Sequence, residues 1–317
     1  MKIGDMTGTG CPFLTYECND LPLPNNLIGV EIEVERTNNR VEVLSDLNRT
    51  IWQGVRDGSL RNNGMEFIFR KPVFGKDVEI QLKEFEKLVE DQRNKHPGSF
   101  QFTHRTSVHI HVDVRNMEPS QVFWFLYVYV IFERTLFRYL KERSGEDRSQ
   151  SPFCVAYYAS PRGFVSSISD LLNGSPRLAN LKRSRNKYSA VNFSTMWQFG
   201  TLEFRQMFGT HSTEEIMRWI SIILEMKKFA ETVDEPPENA LLRISGQGPQ
   251  RFLEEVFPVN WSWLVTNDLE EDVFDGVRDA QDMAMYIKAE QVYGAFYRKI
   301  NSNINEFVGN FSNQLRK

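Results

Sequence analysis

The chain has 317 residues, 41% of them hydrophobic, enough to bury a large core as one domain or two. Its net charge of −4 does not favour non-specific nucleic-acid binding, and its three cysteines (Cys11, Cys18, Cys154) include no CxxC pair and, being odd in number, do not describe a disulfide scaffold. A reducing cytoplasm is the expected setting. The opening MKIGDMTGTGCPF has no apolar core of signal-peptide length, so secretion is not expected. The most apolar run, Val122–Phe132, is shorter than the roughly 20 residues a bilayer requires, so no membrane partner is expected.

In chain order, residues 1–27 form an irregular lead-in broken by Gly8, Gly10, Pro12, Pro22 and Pro24. Ile28–Glu35 (IGVEIEVE) alternates strictly, so a strand places Ile28, Val30, Ile32 and Val34 on one face and Glu31, Glu33 and Glu35 on the other. Residues 41–48 read as a strand or a short helix. In Trp52–Leu60 the Asp57-Gly58 pair signals a turn into a second alternating strand, GMEFIFR, with Glu66 opposite Met65, Phe67 and Phe69. Residues 77–94 carry Val78, Leu82, Phe85, Leu88 and Val89 at helical spacing, and His96 and His104 follow as surface residues. Ser107–Val114 (SVHIHVDV) sets His109, His111 and Asp113 against Val108, Ile110 and Val112. Pro119 opens an aromatic-rich core helix running to about Arg143.

From Asp147 to Phe199 the sequence reads as a long polar loop with a basic cluster, Arg177, Lys182, Arg183, Arg185 and Lys187; loops of this length are usually functional or disordered. Gly200–Phe208 (GTLEFRQMF) is the last alternating strand, with Glu203 and Arg205 opposite Leu202, Phe204 and Phe208. Ser212 and Glu215 form a capping box for a helix to about Thr232. The remainder, 233–317, reads as mostly helical, with 281–299 its longest piece. The expected organisation is a lead-in (1–27), a catalytic domain (28–232) and a helical region packed on it.

Four strands thus offer one apolar face and one face of carboxylates, imidazoles and a guanidinium. Any one of them alone reads as a half-exposed strand, and Asp57 alone as a turn former. Taken together they read differently. Acids are depleted in strands, and two on one face sit only about 6.5–7 Å apart. Carboxylates and imidazoles crowded without cations are what a hard divalent ion neutralises.

These stretches, with RSRNKYSAVNFS at 183–194 and TLEFRQMFGT at 201–210, resemble the amidoligase family of carboxylate–amine ligases, over roughly residues 28–230. The resemblance implies an α+β fold of the glutamine synthetase and glutamate–cysteine ligase type, a curved antiparallel sheet forming a funnel covered by helices. It implies ATP and two or three Mg²⁺ ions, with Mn²⁺ as a substitute, held by Glu31, Glu33, Asp57, Glu66, His111 and Glu203. Arg205 would meet the transferred phosphoryl group, while Arg185, Lys187, Arg148, His109 and Asn192 would contact ATP or substrate. Thr106-Ser107 stands where the family pattern has a Cys-Gly step, a departure that bears on substrate contacts. The implied reaction is ATP-dependent amide formation through an acyl phosphate, joining a small-molecule, peptide or protein carboxylate to an amine. The alternatives are a metal-dependent phosphoesterase or nuclease, and a nucleotide-binding module without catalysis.

Overall fold

The computed structural model describes residues 2–6, 26–37, 47, 50–161, 188–235, 239, 243–244 and 246–287. The alternating stretches all form strands: β1 (Ile28–Val34), β3 (Met65–Phe69), β4 (Ser107–Asp113) and β6 (Thr201–Phe208), joined by β2 (Trp52–Val55) and the short β5 (Val191–Asn192). They build one open six-stranded sheet in the order β2-β3-β1-β4-β6-β5, every neighbouring pair antiparallel. Central β1 and β4 therefore bring strands from distant parts of the chain side by side.

One sheet face is the core. Ile28, Val30, Ile32 and Val34 join Phe67, Val108, Ile110, Val112, Leu202 and Phe204, all buried. Two helices close this face at opposite ends. Helix α1 (Lys76–Lys95) inserts Phe85, whose ring stacks on Trp52 at 5.2 Å and meets Phe67 at 5.1 Å. Helix α2 (Pro119–Ser144) lays Phe125 and Tyr129 against Phe204, at 5.5 and 5.9 Å. Each such aromatic is worth about 3–5 kcal/mol when truncated. Pro119 opens α2, where no intrahelical N–H is needed, and Gly145, in the left-handed region, ends it.

Further along come α3 (Ser194–Phe199), α4 (Thr213–Thr232), α5 (Pro249–Val256), α6 (Trp261–Leu264) and a helix over 269–287, here α7. Helix α7 crosses α2 closely: a Cβ on Gly276 would lie 1.9 Å from the Ile131 carbonyl oxygen. Ion pairs from Arg138 to Asp268 and Asp272, both at 2.7 Å, flank that crossing. Among the described residues no helix is long and apolar enough to cross a membrane.

The structure departs from simple alternation in β6. Val108 pairs with Met207 but Ile110 pairs with Phe204, so one residue of β4, His109, faces two of β6, Arg205 and Gln206. This β-bulge shifts the parity beyond it. Met207 rather than Phe208 lies opposite Val108 and is buried in the core, and Phe208 lies opposite Ser107. The 56–64 connection is also longer than a tight hairpin; Asn62 and Asn63, at φ of 53° and 60°, take its left-handed positions. The 147–199 segment is not one loop, since both ends carry short helices and β5. Ser212 does cap α4, accepting from Glu215 N at 3.4 Å. The Glu215 carboxylate does not reach back, because Arg143 takes it as an ion-pair partner. Most of 41–48 and of 281–299 lies outside the described residues.

Candidate active site

The non-core face of the sheet carries the chemistry, and strand register decides which groups meet. Glu31 pairs with His109, Glu33 with Glu66, His111 with Glu203, and Asn192 with Glu203. Gly29 pairs with His111, and a Cβ there would sit 3.2 Å from the His111 Cβ, so glycine leaves the ring its room. Together with Asp57, just beyond β2, these side chains line a cavity of about 330 Å³. Arg205, Arg105, Ser107, Phe153 and Phe199 share its lining.

A continuous hydrogen-bond network fixes the floor. Each oxygen of Glu31 meets one imidazole: Oε1 lies 2.9 Å from His111 Nε2 and Oε2 lies 3.0 Å from His109 Nδ1. His109 Nδ1 also lies 3.3 Å from Glu203 Oε1, and His109 Nε2 lies 2.8 Å from Ser107 Oγ. Ser107 in turn holds Glu33 Oε2 through its backbone N–H at 2.8 Å and its hydroxyl at 2.5 Å. Asn192 Nδ2 donates to Glu203 Oε2 at 2.6 Å, and Arg205 Nη1 pairs with Glu203 Oε1.

The electrostatics follow from this crowding. Burial pushes the Glu66 carboxyl up, and the neighbouring Glu31, Glu33 and Asp57 charges push it further, to about 9. Burial would raise Glu31 as well, yet His111 and His109 hold it well below the usual range. Burial acts to lower His111, but the Glu31 and Glu203 charges outweigh it, so its pKa is raised. Three donor sets, each with ligand atoms within 4.8 Å of one another, lie side by side: Glu31, Glu66 and His109; Glu31, His111 and Glu203; Glu33, Asp57 and Glu66. An oxygen-rich donor set that can ionise fully only when a cation neutralises it fits Mg²⁺ or Mn²⁺.

The structure gathers Glu31, Glu33, Asp57, Glu66, His109, His111, Asn192, Glu203 and Arg205 in one cavity. Asp57 is also a turn former, since its Oδ1 accepts from Ser59 N at 2.8 Å. Arg148 is not part of the lining: it is buried, and its Nη1 donates to the Thr106 carbonyl at 3.0 Å. Arg185 and Lys187 lie outside the described residues, as does the rest of the basic cluster. Two acids on the polar parity serve elsewhere: Glu35 ties two loops together, and Asp113, on the histidine strand, pairs with Arg115 at 2.8 Å. Sequence reasoning missed Ser107 and Arg105. Ser107 shares the parity of His109 and His111 and was readable from alternation; Arg105 stands in a turn where no periodicity points to it.

Fold and site together define a mixed α/β protein whose open antiparallel sheet carries an acid-lined cavity. Residues 72–226, just under half of the chain, match the model of the family described as putative amidoligase enzyme. The class of activity this indicates is amide-bond formation, a ligase reaction. The matched stretch contains β4, β5 and β6, while β1 to β3, with Glu31, Glu33 and Glu66, precede it and join it through the β1–β4 ladder. No curated protein matches the chain.

Proposed function

We propose that the protein is an ATP- and Mg²⁺-dependent carboxylate–amine ligase working through an acyl phosphate, on a sheet curved into a funnel of the glutamine synthetase type. The observation that carries this reading is the convergence of Glu31, Glu33, Asp57, Glu66, His111, Glu203 and Arg205 on one cavity. The residues that would hold Mg²⁺ are the five acids and His111, and the chemistry the ions supply is neutralisation of phosphate charge. Arg205 stabilises charge on the phosphoryl group in transfer, held in place by Glu203. Glu31, clamped by two histidines, and Glu33, clamped by Ser107, keep their orientation without help from substrate.

In the first step a carboxylate oxygen of the acid substrate bonds to the γ-phosphorus of ATP, and the bond to the β–γ bridging oxygen breaks, releasing ADP. In the second, an amine attacks the acyl carbon, phosphate leaves with the bonding pair, and the amine loses a proton. The reaction requires that water be kept from the acyl phosphate, which would otherwise hydrolyse. The substrates are small-molecule or peptide acids and amines.

The test is release of ADP and phosphate from ATP and Mg²⁺ with pooled carboxylates and pooled amines, added separately and together, for wild type and Glu203→Gln. Release that needs both pools and vanishes in the variant supports the ligase. Phosphoester cleavage without nucleotide would instead establish a phosphoesterase.

A further inference from the structure

Arg105 lines the same cavity from the turn before β4, half-buried, and its charge has no acidic partner. Among the described residues its guanidinium forms no ion pair. Its Nε and Nη2 both donate to one acceptor, the Ser59 carbonyl, at 3.2 and 2.5 Å, and its Cζ lies 5.8 Å from the centre of the Phe153 ring. The other guanidinium of the lining, Arg205, is paired with Glu203. A guanidinium has five N–H donors and stays protonated, so with two of them committed Arg105, a residue of the cavity lining, retains further donors.

Among the described residues, none of the cavity's acids forms an ion pair with it, and two of them take neutral partners. Asp57 Oδ1 accepts from Ser59 N, and Glu33 Oε2 accepts twice from Ser107. Nor is Arg105 a loosely attached surface side chain. Its backbone N–H donates to Thr103 Oγ1 at 3.2 Å, and Thr103 Oγ1 donates to Glu35 Oε2 at 3.1 Å. The other Glu35 oxygen accepts from Arg61 N at 2.8 Å, so the two loops joined by the Arg105–Ser59 contact are also stapled from beneath. A half-buried cation held on a fixed frame and lacking a counter-charge is completed by an anion from outside the protein.

We propose that Arg105 is an oxyanion-binding residue of the cavity, taking a phosphate or carboxylate group of a substrate on the free edge of its guanidinium. This deepens the ligase reading and rests on it for the choice of ligand. The anion comes either from the nucleotide or from the acid substrate.

The experiment is calorimetric titration of the whole protein, in Mg²⁺, with a non-hydrolysable ATP analogue and separately with orthophosphate, for wild type, Arg105→Gln and Arg105→Lys. Thermal unfolding of each variant checks its fold. If the nucleotide supplies the anion, Arg105→Gln weakens analogue binding by about 10- to 100-fold and Arg105→Lys by less. If the acid substrate supplies it, analogue affinity is unchanged and orthophosphate binding, seen in wild type, falls in Arg105→Gln. Should Arg105→Gln fail to fold, Arg105→Lys decides by the same readings, since it keeps the charge and loses the fork. The proposal is overturned if both probes bind the variants as tightly as wild type, or if orthophosphate does not bind wild type and analogue affinity is unaltered. Wild-type protein that binds orthophosphate through Arg105 but not the analogue would sink the ATP reading and leave the oxyanion site standing.

Discussion

Glu33 and Glu35 stand two residues apart on the same strand parity, yet one faces the cavity and the other is a staple. Glu33 gives Oε2 to Ser107, whereas Glu35 gives one oxygen to Arg61 N and the other to Thr103 Oγ1. Glu35→Ala is therefore expected to lose about 2–3 kcal/mol of stability, the scale of hydrogen bonds to a buried charge, with the unfolding midpoint as readout. Glu33→Gln keeps its shape and is expected to unfold close to wild type while weakening Mn²⁺ binding about tenfold or more, measured by titration of free Mn²⁺.

Glu66, with its pKa raised to about 9, is protonated at neutral pH when no cation is present. Glu66→Gln mimics that protonated form, so its unfolding midpoint in chelator should match wild type. Adding Mg²⁺ or Mn²⁺ should stabilise wild type, because an ion bound only by the folded state shifts the equilibrium, and should stabilise the variant much less. Equal shifts would remove Glu66 from the ligand set.

Asn192 donates to Glu203 Oε2 at 2.6 Å, and its own Oδ1 accepts from Ser194 N at 2.9 Å, so it orients an acid and starts α3 at once. Asn192→Asp sets two carboxylates at that contact, while Asn192→Ala only removes the donor. Metal affinity should fall in both, and more in Asn192→Ala if a cation can bridge the new pair. At high chelator, Asn192→Asp should be the less stable of the two, a ranking that thermal unfolding checks.

On the far side of the sheet, Glu133 in α2 is fully enclosed and accepts from Tyr129 Oη at 2.6 Å and from Tyr157 N at 2.8 and 2.9 Å. Burial pushes its carboxyl up to about 7 despite those bonds. Between the ordinary carboxylate range and 7, the folded state holds a proton that the unfolded state has lost, so stability falls as pH rises. The loss amounts to about 3 kcal/mol from pH 4.5 to above 7. Denaturant unfolding across pH 5–8 should show wild type declining relative to Glu133→Gln, and parallel curves would contradict the assignment.

Period-2 alternation made β1, β3, β4 and β6 legible, because one face of each packs a core and the other holds like charges that an ordinary strand avoids. Helices α1, α2 and α4 were legible through 3.6-residue spacing and their end signals, with α1 and α2 matching to within a residue or two. What stayed hidden depends on contacts between distant residues. Nothing local marks β5, two residues long, since its pairing with β6 defines it. Arg148 looked like a cavity residue by position, but its side chain turns to the Thr106 carbonyl. Glu35 and Asp113 have the right parity and are claimed by neighbours just beyond the cavity edge.

The bulge in β6 gives a single strand two reading frames. Up to Arg205 odd positions face the cavity, and past it the odd position Met207 belongs to the core. Removing one residue, Gln206, would merge the frames: Met207 would follow Arg205 directly and keep its place opposite Val108 in the core, with Glu203 still opposite His111. The extra residue is held by the bulge alone, and the two halves of β6 would keep their partners on β4 with it or without it.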